Sequence, residues 1–220
     1  SSPYTPGSND YGAPIQSVLR LSDSRARHRR LESMLGASLE FQPRRRSDID
    51  FIFAPATAST ARMLRPQLRF HFAGDIPTYA TSDAFEPGLA SNQDLDGLIF
   101  PDMPWVLSGG ESVEKLRAAT TAAFGEGARG RGKLYAFGYD AWLLVTALRG
   151  EALARSGRDA ASGVVVDGAT GRISFDANGR SRRELEWAQM RGGTPKLLPG
   201  GTSGGSTTSG GASGGSGGSR

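Results

Sequence analysis

The sequence predicts an α/β fold organised around a βαβ unit, and three observations carry that expectation. The stretch "DIDFIFAPA" holds a short apolar run, Ile49 to Ala54, bounded by acids and by Pro55. Such a run has the pattern of a strand buried in a parallel sheet. Next, "TASTARMLRPQLRFHFAG" places Ala61, Leu64, Leu68 and Phe72 at intervals of three and four, the period of a helix. A Gly-Asp turn then leads into "IPTYATS", a second short strand. Strand, helix and strand joined by tight connections form a parallel, right-handed crossover.

The remaining elements follow in chain order. "DSRARHRRLESML" has helical spacing at Ala26, Leu31, Met34 and Leu35, with Ser22, Asp23 and Ser24 as candidate caps and Gly36 as the stop. In the helix that follows the first strand, Pro66 is expected to kink the chain or to lie near the first turn, and Gly74 closes the element. A third strand is expected around Leu98 to Phe100, cut off by Pro101 and Pro104. Glu111 to Phe124 reads as a further helix, and "GEGARGRG" as a mobile loop. Leu134 to Leu148 is apolar nearly all round, as a helix buried on several sides is. Beyond it, Asp-Gly, Thr-Gly and Asn-Gly pairs punctuate a strand-and-hairpin region. From Gly200 onward the glycine- and serine-rich run reads as flexible coil.

Composition narrows the chemistry. The 220 residues suffice for one or two domains, and 37% hydrophobic with 22% charged residues suits a globular protein. The absence of cysteine excludes disulfides, thiolate zinc sites and cysteine nucleophiles. No apolar run reaches the length of a membrane-spanning helix, and "SSPYTPGSNDYG" lacks the pattern of a signal peptide. That opening reads as a loop inside a larger protein. Net charge is +4, with arginine clusters at Arg25 to Arg30 and at Arg44, Arg45 and Arg46. No aromatic residues interleave with them as a single-stranded nucleic-acid site requires, and no nucleic-acid partner is expected.

No catalytic constellation emerges. His28 sits among arginines and His71 on a helix end, neither with a partner at metal-binding spacing. Asp94, Asp96, Asp102 and Asp140 do not form a calcium loop, and "GEGARGRGK" lacks the preceding strand and the ending of a phosphate loop. There is no nucleophile elbow. The residues read as a non-enzymatic α/β protein without a cofactor.

The stretches "SNDYGAPIQSVLRLSDSRARHRRLESMLG", "FQPRRRSDIDFIFAPATASTARMLRPQLRFHFAGDIPTYATSDAF", "DLDGLIFPDMPWVL", "FGYDAWLL" and "ATGRISFDANGRSRRELEWAQMRGGTPKLL" together resemble the carboxy-terminal domain of the LppC/LpoA lipoproteins, activators of penicillin-binding proteins in Gram-negative bacteria. The resemblance spans most of Ser8 to Leu198. "DIPTYATS" and "DMPW" are its more specific segments, whereas "ATGRISFDANGR" is shared with type I periplasmic solute receptors.

The resemblance implies a type I periplasmic-binding-protein-like fold of two Rossmann-like lobes, here a partial chain lacking the start of the first lobe. Residues 1–108 would belong to the second lobe, 109–184 to the return to the first lobe and the hinge, 185–199 to the final crossing strand, and 200–220 to a disordered tail. The family's helical-repeat domain and lipidated cysteine would lie elsewhere, so membrane attachment would come only through a lipid anchor absent from this chain. The implied function is periplasmic, at the inner face of the outer membrane: binding and stimulation of a class A penicillin-binding protein, a peptidoglycan synthase. The alternative is a receptor for a small polar or amino-acid-like solute. In such folds ligands lie between the lobes near the carboxyl ends of strands. Thr81, Ser82, Asp83, Asp102 and Trp105 would stand there, either to hold a ligand or to cap helices and stiffen the hinge. Arg44, Arg45 and Arg46 are the candidate partner contacts, with a solvated loop as the plainer reading.

Overall fold

The computed structural model describes residues 8–88, 91–107, 110–125, 132–152, 161 and 163–199. The expected tail from Gly200, and all but the ends of the expected loop at 125–132, lie outside these residues. In chain order the elements are α1 (Gly12–Val18), α2 (Leu21–Leu35), β1 (Ile52–Phe53), α3 (Ala58–Phe70), β2 (Thr78–Tyr79), β3 (Leu98–Asp102), α4 (Pro104–Leu107), α5 (Glu111–Phe124), α6 (Gly132–Ala152), β4 (Val165–Gly168), β5 (Gly171–Phe175), β6 (Ser181–Glu184), β7 (Glu186–Arg191) and β8 (Thr194–Leu197). Short 3-10 turns occupy Ser82–Ala84 and Gln93–Leu95.

Two sheets result. The larger is mixed, in the order β1-β2-β3-β7-β8. Its first three strands run parallel, Ile52 beside Thr78 and Thr78 beside Leu98, as the βαβ reading requires. β7 then joins β3 antiparallel, and β8 closes a hairpin on β7. Gly192 and Gly193 both take positive φ, 60° and 74°, as a tight primed turn demands. Asp96 accepts both of their N–H groups, at 3.0 and 2.8 Å. The smaller sheet, β4-β5-β6, is an antiparallel meander.

One face of the large sheet is the main core. Leu98, Phe100, Ala188 and Met190 are buried there against Ala61 of α3, Leu107 of α4, and Ala84, Phe85 and Leu95 of the connecting turns. A second cluster seats α1 on α3 through Tyr11, Ile15, Leu19 and Leu68. A third joins Met103, Val113, Ala136 and Ala169, so the small sheet packs on α6 rather than on the large sheet.

Several local expectations are corrected. α2 begins at Leu21, with Arg20 as its cap in the left-handed region and no side-chain cap bond. Ser24 instead faces inward, where its hydroxyl accepts the Arg44 N–H at 3.2 Å. The apolar stripe of α2 is uncovered, because no described element lies over it: Leu31 and Met34 are 51% and 79% exposed. α3 holds Pro66 in its interior rather than near its first turn, and it ends before Gly74: Phe72 takes φ 63°, and the Ala73 N–H reaches back to the Leu68 carbonyl at 2.9 Å. That is a Schellman-type ending made without glycine at the left-handed position. β3 runs on through Pro101. Ile99 offers its carbonyl to Ala80 on the β2 side, and two residues later the same side has no strand left to serve, so a missing N–H costs nothing there. α6 is not buried on several sides: Leu134, Trp142 and Val145 are exposed. Among the described residues β1 is an edge strand whose Phe53 and the preceding Phe51 are each 60% exposed, not a strand enclosed on both faces.

Candidate functional site

The chain leaves β2 and β3 at neighbouring points, which fixes the site. After β2, Thr81 is extended and its carbonyl accepts the Ala84 N–H at 3.1 Å, closing the Ser82–Ala84 turn with Asp83 exposed. At the end of β3, Asp102 is 1% exposed. One of its carboxylate oxygens accepts the Met103 N–H at 2.8 Å, and the other lies 3.2 Å from Lys133 Nζ in the first turn of α6. Glu186 stands directly opposite Asp102 in the β3–β7 register. Its Oε2 is buried without a hydrogen-bond partner among the described residues.

Of these two neighbouring carboxylates, Asp102 has the Lys133 ammonium beside it. Burial pushes the Asp102 carboxyl above its ordinary value, with the nearby Asp83 adding to the rise and the Met103 N–H and Lys133 opposing it. Burial raises Glu186 as well. Desolvation dominates both, since an anion loses more than a neutral acid on leaving water.

Trp105 does a different job. Its N–H donates to the Ala169 carbonyl at 2.9 Å, and its own carbonyl accepts from Arg117 Nε at 3.0 Å. The Arg117 guanidinium lies 5.7 Å from the ring centroid. Trp105 thus ties α4 to α5 and to the β4–β5 turn. Of the five expected residues, Asp83 lies near enough to Asp102 to add to its rise, Thr81 and Ser82 belong to the adjoining turn, and Trp105 serves the packing beside it.

Lys133, Glu186 and Asp140 were missed by sequence reasoning. Asp140 is 2% exposed on α6 and accepts from the N–H groups of Ala169 and Thr170, at 2.7 and 2.8 Å, and from the Thr170 hydroxyl at 2.5 Å. A carboxylate inside the apolar stretch 134–148 was the available signal, because such a group must find donors. No comparable cue marked Lys133, which reaches Asp102 from α6, or Glu186, which stands opposite Asp102 only through the sheet register.

The three arginines are unequal. Arg46 makes a two-pronged contact with Asp48, at 2.6 and 2.5 Å, and holds that carboxyl at about 2. Arg45 bonds Asp75 at 2.6 Å. Arg44 is exposed, and its N–H anchors the loop to α2. Among the described residues no His, Asp and Glu cluster is placed to hold a metal ion, and no helix is long and apolar enough to cross a membrane.

A mixed sheet with a parallel βαβ start and an antiparallel return defines an α/β protein, and its solved neighbours share a periplasmic-binding-protein-like fold. A structure from Rhodospirillum rubrum described as a branched-chain amino acid ABC transporter has a similar fold, with TM-score 0.52 and 20% identity over 88% of this chain and 49% of that one. The LpoA C-domain from Haemophilus influenzae, a regulator of PBP1A, matches with TM-score 0.51 and 21% identity over 80% of this chain and 56% of that one. The sequence model of the LppC lipoprotein family matches residues 6–193, and the chain belongs to that family. It is 28% identical over 177 residues to the penicillin-binding protein activator LpoA of Vibrio cholerae, covering 80% of this chain but 28% of that protein's length.

Proposed function

We propose that these residues form a protein-interaction module of a periplasmic activator, which binds and stimulates a class A penicillin-binding protein without doing chemistry itself. The observation that carries this reading is the family match over residues 6–193, together with curated relatives named as penicillin-binding protein activators. The site is compatible with it. Asp102, one of the expected cleft residues, is already met by Lys133 and by a backbone N–H, so it is not itself the carboxylate a solute's amine would meet. Stimulation then follows from binding one conformation of the synthase better than another. The full-length protein would work at the inner face of the outer membrane, held by the family's lipid anchor.

The test is synthase stimulation by full-length protein carrying Ser82→Ala with Asp83→Ala. Stimulation should persist, and amino acids should not raise the melting temperature of the unsubstituted protein. Loss of stimulation in a normally folded double variant, with an amino-acid-induced thermal shift in the parent, would establish the solute-receptor reading instead. Arg44→Glu should lower the association rate roughly 2- to 10-fold with little change in dissociation, as rim charges do.

A further inference from the structure

Three guanidinium groups gather at the end of the large sheet opposite Thr81 and Asp102. Arg65 and Arg69 lie about one turn apart on α3, and Arg191 ends β7 beside the entry to β3. With Gly74, Asp96 and Gly97 they line a hollow of about 370 Å³. Arg65 is 5% exposed, and its donors go only to neutral acceptors among the described residues. These are the Asp96 carbonyl at 3.0 Å, the Gly74 carbonyl at 3.1 Å and the Thr78 hydroxyl at 3.2 Å. A Cβ on Gly97 would lie 2.4 Å from Arg65 Nη2, so this glycine makes room for the buried fork.

Charge around the hollow is left unbalanced. Arg69 donates to the same Asp96 carbonyl as Arg65, so two like charges share one neutral oxygen. The Asp96 carboxylate, the one acid among the described residues lining the hollow, accepts from Gly192 and Gly193 instead. Arg191 Nε donates to the Gln189 side-chain amide oxygen at 2.9 Å, again a neutral partner. Burial and the Arg69 charge both push the Arg65 guanidinium below its ordinary value, and no acid offsets them. An arginine does not escape such a position by losing its proton. A buried cation without a counter-ion is costly, and the guanidinium fork matches the paired oxygens of a carboxylate or phosphate. We propose that this hollow binds a compact oxyanion, a phosphate or a carboxylate, held by Arg69 and Arg191 with the buried charge of Arg65 adding to the attraction. The site lies at the entry to β2 and β3, away from the strand ends where a solute cleft would open.

Titration calorimetry on the full-length protein tests this, with inorganic phosphate and, separately, acetate added at constant ionic strength in chloride. At least one anion should bind saturably. Arg69→Gln with Arg191→Gln should weaken that binding at least about 10-fold, as losing hydrogen bonds to a charged group does. Both side chains are exposed, so the double variant should still unfold cooperatively in chloride. Arg180→Gln, in the β5–β6 hairpin, should leave the affinity unchanged. Binding of phosphate assigns the site to phosphate groups, and binding of acetate alone assigns it to carboxylates. Saturable binding of neither anion overturns the proposal, and so does equal affinity in the parent and the double variant.

Discussion

Asp102 and Glu186 make stability depend on pH in a definite direction. Both carboxyls are raised by burial above the unfolded values of about 3.8 and 4.5. The folded state therefore holds their protons more tightly, and this contribution is full below the unfolded values and lost as pH rises through the raised ones. Glu186→Gln removes one titration, so its melting temperature relative to the parent should rise as pH increases above about 4.5 in calorimetry. A flat difference would show that Glu186 does not titrate in that window. Lys133→Met should act oppositely, leaving Asp102 without its cation. The expected loss at pH 7.5 is about 1–2 kcal/mol, below that of a fully buried pair because the Lys133 side chain is 38% exposed, and it should shrink at pH 4.5. At Asp140, replacement by Ala strands two backbone N–H groups and a hydroxyl. The expected cost is about 2–4 kcal/mol, readable by urea denaturation.

Among the elements, the β4–β5 turn shows how a hairpin can be fastened to a helix. An added Cβ on Gly168 would lie 2.4 Å from the Asp140 carboxyl carbon, so Gly168→Ala must displace that carboxylate. The expected result is a loss comparable to Asp140→Ala, with the double substitution far from additive. A simple sum of the two losses in a double-mutant cycle would rule out this coupling. Helix positions were legible in the sequence: α5 spans the expected Glu111 to Phe124, and α2 and α3 lie where three- and four-residue spacing put them. Burial was less legible. Periodicity marks the apolar face of α2 but not what covers it, and Leu31, Met34 and Leu35 have no cover here. The Asp102–Lys133–Glu186 group was half legible: Asp102 follows a recognisable strand, while its neighbours arrive from 31 positions later along the chain and from across the β3–β7 pairing. No local pattern encodes such a meeting.

At the scale of the whole molecule, the exposed faces of α2 and α6 and the β1 edge leave the 220-residue chain with several apolar surfaces. Patches of this kind promote association. Sedimentation should show the isolated chain self-associating with rising concentration, and Trp142→Glu with Val145→Glu should reduce this without lowering helicity. A monomer at all concentrations would mean that these surfaces are too scattered to associate. The aromatic row on the sheet has a further use. Tyr79 stands between Phe51 and Trp187, with its ring 6.1 Å from the Trp187 indole. Trp187 is 36% exposed, whereas Trp105 lies under Arg117 and Trp142 is open to water. With Trp105 and Trp142 changed to Phe, the remaining indole becomes an optical gauge of the sheet face. Its emission should move to shorter wavelength, and acrylamide should quench it less, whenever that face is covered. Because the chain contains no cysteine, one introduced beside the row would accept a single dye and turn the same face into a distance ruler.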